Sequence, residues 1–156
     1  MVGCHGTRDD VQQPRLMDAI IAFPPRDTAR LSLPVTTHGC ANRRMLLIEA
    51  IIPEGTGVLV RLQYRDSLVP GSYKIALPGD TTAPGAVVAV RYLLRDVSHG
   101  FSFDSGAVEL TREGQRIGGH IRGTGIESGI RTPSRIDFHD VPLPSQTDTV
   151  SCALEP

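Results

Sequence analysis

Apolar and polar residues alternate along most of this chain with a period of two. The pattern is clearest between His99 and Gly125. Val108 and Leu110 alternate with Glu109 and Thr111, and Ile117 and Ile121 recur among Arg116, Gly118, His120 and Arg122. Arg112-Glu113-Gly114-Gln115 separates the two arms, with glycine where a tight hairpin turn favours positive φ. Such alternation gives one apolar and one wet face, the signature of a half-buried antiparallel pair.

The same reading extends along the chain. Leu16 to Phe23 is a short apolar run with Ile20-Ile21, ended by Pro24-Pro25, and predicts a strand. Arg30 to Val35 alternates around Leu31, Leu33 and Val35, with Pro34 marking an edge or a bend. Thr36 to Arg44 carries loop residues. Met45 to Ile52 is apolar apart from Glu49, which suggests burial on both faces. Pro53-Glu54-Gly55 turns the chain into Val58 to Arg65, where Val58, Val60, Leu62 and Tyr64 oppose Arg61, Gln63 and Arg65. Tyr73 to Leu77 and Ala86 to Leu94 are further strands, parted by the turn formers of Pro78 to Gly85. Gly123 to Pro133 predicts a loop, and Ser134 to Val141 a last strand with Ile136 and Phe138 facing in. No window longer than ten residues carries a helical apolar stripe free of Pro and Gly. About nine strands and no helix predict an all-β fold: an antiparallel two-sheet sandwich, with a closed barrel as the alternative. Residues 1–14 form a tether, 15–141 one β domain, and 142–156 an extended tail with three prolines.

Composition narrows the partners. The 156 residues carry a net charge of −1, which gives no electrostatic reason to expect nucleic acid or a direct attraction to anionic membrane. Aromatic residues amount to 4% with no Trp, which argues against a sugar-stacking face. The basic residues are fifteen Arg and one Lys, a skew that a GC-rich coding sequence explains better than guanidinium recognition does.

Candidate chemistry is sparse. His120 and His139 fall on outward strand faces, with Asp137 and Asp140 close in sequence. Two His and a carboxylate suit zinc, but the local spacing of a zinc motif is absent, so no metal or other cofactor is expected. Asp104-Ser105-Gly106 lacks the elbow that exposes a serine nucleophile and reads as a turn. Glu109 and Glu113 flank a hairpin turn, as exposed acids commonly do. Arg61, Arg65, Arg91, Arg95, Arg116 and Arg122 recur on polar strand faces, where Glu109, Glu113 and Asp137 offer them partners. Gly118-Gly119 is unusual inside a strand and marks a bulge or a close approach, with Gly119 inward and Gly118 on the wet side.

Three cysteines bear on location. Val2-Gly3-Cys4 resembles the end of a bacterial lipobox, in which small residues precede a cysteine that is acylated. The polar stretch His5 to Pro14 resembles a lipoprotein tether. With the strand pattern, these features resemble bacterial cell-envelope lipoproteins with a β-sandwich body. The resemblance implies lipidation at Cys4 and a protein that binds or scaffolds rather than catalyses. With Cys4 set apart, Cys40 and Cys152, both in polar surroundings, remain as a disulfide pair. The expectation is a non-catalytic envelope or secreted module that binds a protein or other envelope component and meets the membrane only through a lipid anchor. The alternative is a structural subunit that forms homo-oligomers through exposed strand edges. A small hydrolase or metal-dependent enzyme is the least favoured.

Overall fold

The computed structural model describes residues 15–23, 27–41 and 44–152. Cys4 and the expected tether lie outside them. Among the described residues all regular structure is β, in eleven strands. β1 is Leu16–Phe23, β2 Asp27–Pro34, β3 Thr36–Cys40, β4 Met45–Ile51, β5 Gly57–Gln63 and β6 Gly71–Lys74. β7 is Gly85–Leu94, β8 Val97–Glu113, β9 Arg116–Glu127, β10 Ile130–Pro142 and β11 Thr149–Val150.

The strands join in one strongly curled sheet, in the order β11-β3-β4-β5-β7-β8-β9-β10-β1-β2, with β6 set against β8 off this path. The all-β class holds, and the strands follow one continuous path because β8 belongs to both arms. Its first residues pair with β7 (Leu94↔Val97 to Ala89↔Ser102), and the rest pairs with β9. The register shifts between Phe103 and Ser105, so Asp104-Ser105-Gly106 is a bulge within β8 rather than a turn. A bulge bends a strand and increases its twist. Gly106 sits there at φ 122, where a Cβ would come within 2.1 Å of the Arg122 carbonyl oxygen.

Curling brings the two arms face to face over one core. Met17, Ile21, Ile48, Val58, Val60, Leu62, Tyr92, Phe103, Ile117, Ile121 and Ile136 are all buried there. Burying each large apolar side chain contributes about 1.5–3 kcal/mol. Phe101 and Phe103 stack with centroids 5.6 Å apart, their rings lying over the bare backbone of Gly125 and Gly123.

Several expected loops are strands. Thr36 to Cys40 forms β3 because it lies between β4 and the tail. Most of Gly123 to Pro133 extends β9 and β10, and Pro133 is tolerated where it is because the β1 ladder ends at Ser134. The Pro-rich tail is also held. Val150 pairs with Cys40 in parallel, and Cys152 forms a disulfide with Cys40, with Cα atoms 5.5 Å apart. The bond closes a sequence separation of 112. A loop of roughly 100 residues corresponds to about 4.7 kcal/mol in the chain-entropy model.

Candidate functional site

A hollow opens where the β2–β3 corner meets the end of β10. Its floor and walls are apolar, from Pro34, Val35, Val141, Leu143 and Pro144, and its volume is about 500 Å³. Strand order explains the position. Val35 turns the chain from one arm of the sheet to the other, and its N–H is held by the Arg15 carbonyl at 2.9 Å. Opposite, β10 runs out through Val141-Pro142, and Thr37 Oγ1 donates to the Pro142 carbonyl at 2.6 Å.

The rim is charged. β10 is bulged between Phe138 and Val141, and Asp140 there has φ 56, a left-handed conformation that Asp accommodates better than most residues. Its carboxylate is 2.7 Å from Arg15 and 3.4 Å from Arg116, and Arg116 also donates to the Asp140 carbonyl at 3.0 Å. Two guanidiniums thus share one carboxylate. Across the cleft, His38 Nδ1 lies 3.3 Å from Asp148 Oδ1. Arg116 and Asp140 also border a second, more polar hollow of about 380 Å³ beside Gly118 and His139. Bulges often re-aim side chains next to functional sites. This arrangement can grip an apolar segment and orient it by charge.

The residues singled out from the sequence fall mostly elsewhere. His120 and Asp137 are cross-strand partners whose side chains hydrogen-bond each other, whereas His139 lies beyond them on the bulge. Among the described residues no group of three or more His, Cys, Asp or Glu side chains is placed to share a metal ion. Asp104 accepts two bonds from Arg131, at 2.8 and 3.2 Å, which hold its carboxyl below the usual range. Arginines pair with Asp27, Asp104 and Asp140, and Asp137 pairs with His120 instead. Arg61 is not on a wet face. It is buried against the Cys152 carbonyl at 3.1 Å, and burial lowers its pKa.

Gly119 is inward as expected, with a Cβ position 2.8 Å from the Phe138 ring. Gly118 is not open to water. The β10 bulge brings the Phe138 carbonyl to 3.1 Å and His139 Cα to 3.2 Å from where its Cβ would be. One further cluster lies at the opposite end of the body, invisible to local patterns. His99 Nδ1 is 3.0 Å from Glu127 Oε2 and its ring stacks on Tyr92, whose buried hydroxyl has no hydrogen-bond partner. Burial, and then the charge of Glu127, raise the Tyr92 pKa. Ser128 donates to Glu127 at 3.0 Å, so the carboxylate stands between hydroxyl and imidazole. A serine nucleophile needs the imidazole in the middle, and this order does not supply it.

Comparison of the chain with protein-family models, curated proteins and solved structures finds no match.

Proposed function

We propose that the protein is a non-catalytic binding module of a bacterial cell envelope or extracellular space, carried there on a lipid attached to Cys4. In this reading the two arms of the curled sheet act as the layers of a sandwich, and the partner sits where they meet at the β2–β3 corner. The observation that carries it is the cleft itself: apolar walls of Val35, Val141 and Leu143 beside a rim of Arg15, Arg116, His38 and Asp148, with Asp140 behind the two arginines. Specific sites commonly combine apolar lining with a few placed polar groups. An extended polypeptide segment bearing a carboxylate fits that chemistry, since it can take one of the two guanidiniums now shared by Asp140. The Cys40–Cys152 bond supports an oxidising location.

A peptide-display selection on the oxidised chain tests the cleft. Selected peptides should lose binding to Leu143→Asp and to Arg116→Glu, and keep it with Ile130→Ser at the opposite end of β10. Peptides indifferent to all three would remove the reading. For the anchor, metabolic labelling with a fatty-acid analogue should mark the wild-type chain and not Cys4→Ser.

One observation favours the alternative of self-assembly. β2 ends the sheet path, so among the described residues its eight-residue outer edge has no strand partner. Arg30 and Pro34 on that edge oppose strand addition. A sedimentation series over concentration separates the two readings.

A further inference from the structure

One wall of the cleft is built from chain that follows β10, and it is lightly attached. Leu143 N–H donates to the Gln115 carbonyl at 2.8 Å. Beyond that point Gly39 N–H donates to the Asp148 carbonyl and Ala41 N–H to the Val150 carbonyl, both at 3.0 Å, beside the short β3–β11 ladder. The His38–Asp148 contact is part-exposed, so water and salt compete with it. β11 contributes only two paired residues. At the end of this stretch stands the covalent link to Cys40.

The same stretch covers the outer face of β3, β4 and β5. There Leu47, Cys40 and Cys152 form a small cluster with Met45, Leu59 and Val150, separate from the main core. Arg61 lies buried beside it, and its guanidinium donates to the Cys152 carbonyl. Nothing else among these contacts is strong enough to hold a proline-containing segment against a sheet face.

We propose that the Cys40–Cys152 bond is the latch that assembles the cleft. The oxidised chain holds the segment from Leu143 to Cys152 as a wall and binds its partner. The reduced chain releases that wall and uncovers Leu47, Leu59 and Arg61. The ligand side of this inference rests on the binding reading above; the latch itself does not. Closing the latch takes a disulfide oxidant. One cysteine thiolate attacks it to form a mixed disulfide, and the second displaces the oxidant as a dithiol, so two electrons and two protons leave the Cys40–Cys152 pair. Opening reverses this with a dithiol reductant. Cys40 and Cys152 are 3% and 8% exposed, so a reductant must wait for the segment to lift locally. The latch therefore acts mainly once, as the chain reaches an oxidising compartment: before that step it has no competent cleft.

The test compares the oxidised full-length chain with Cys40→Ser/Cys152→Ser by residue-resolved amide exchange. The Gly39 and Ala41 amides should exchange about a hundredfold faster in the double variant, while Ile121 and Ile136 in the core stay protected. A peptide selected on the oxidised chain should bind the variant at least about tenfold more weakly. The same readouts on wild-type protein reduced in place with dithiothreitol cover the case in which the variant does not fold. Equal protection of Gly39 and Ala41 in both states overturns the proposal, as does unchanged peptide affinity. Exchange of Ile121 and Ile136 together with Gly39 also overturns it, because the bond would then hold the whole fold rather than the wall. A loosened wall with no peptide bound by either form would take down the cleft reading and leave the latch standing.

Discussion

β4 and β5 are buried on both faces, but the two faces are covered by different means. Inward, Ile48, Ala50, Val58, Val60 and Leu62 are fully buried against apolar side chains from the other arm of the sheet. Outward, Leu47, Arg61 and Gln63 are buried beneath the chain's last described residues and the loop around Asp80. The inner face is made dry by curvature, and shape-matched hydrocarbon does the work. The outer face has no opposing sheet to curl onto, so loops cover it, and loops bring carbonyl groups. Arg61 bonds to the Cys152 carbonyl and Gln63 Nε2 to the Asp80 carbonyl at 2.7 Å, which makes polar burial tolerable. The satisfaction is incomplete, for Arg61 Nε and Gln63 Oε1 have no partner. A face closed in this way depends on what pins the cover.

The contrast can be broken at four places, from the largest expected effect to the smallest. Phe103→Ala empties the inner core beneath both arms and should cost about 3–5 kcal/mol in a denaturant melt. A loss below about 1 kcal/mol would show that the inner face is not held by packing. Replacing both Cys40 and Cys152 by Ser should cost about 2–5 kcal/mol, with the wall loosened well below the unfolding midpoint. Equal melts with and without the bond would show that the outer cover needs no pin. Gly119→Val drives a side chain into the Phe138 ring and should cost about 1–3 kcal/mol; Gly118→Val should cost a comparable amount, because the bulged β10 backbone blocks it. A neutral Gly118→Val would mean that the bulge yields easily. Arg61→Met removes an incompletely bonded charge from the outer face and should change stability by no more than about 1 kcal/mol, since apolar replacements of buried ions are often neutral or better. A much larger loss would make the guanidinium, rather than the disulfide, the principal fastening of the tail.

Strand alternation was sufficient where one face is dry and the other wet. β1, the second half of β8 and most of β10 follow it closely, because side-chain period and burial coincide there, whereas β4 and β5 are covered on both faces. It failed where position in the sheet overrides local preference. Thr36-Thr37-His38-Gly39 has the composition of a loop, yet β4 on one side and the tail on the other make it a strand. Asp104-Ser105-Gly106 has the residues of a turn, but β7 and β9 hold the chain extended on either side of it. Alternation within β9 puts Gly118 on the side away from Ile117, yet that side is covered there and Gly118 is buried. Its crowding comes from a register shift in the neighbouring strand, which β9's own residues do not encode. The cleft was legible only in fragments: Arg116 stands out among the arginines of the polar strand faces, for a reason unrelated to the hollow. Arg15, Val35 and Leu143 meet there through pairings distant in sequence, and no local pattern signals that meeting.

The shared strand has a consequence for how this architecture tolerates growth. Because β8 is common to both arms, the segment around Ser105 behaves as a keystone: lengthening it would move one arm relative to the other and part the stacked Phe101 and Phe103. The tips at Gly114 and Gly129 are different, since each reverses the chain at the margin of the sheet with open space around the glycine, although Gln115 beside the first also holds Leu143. Added residues there lengthen an exposed turn and leave both ladders in register. New recognition loops are accordingly expected at those margins in descendants of this chain, with the length of the crossing segment kept constant.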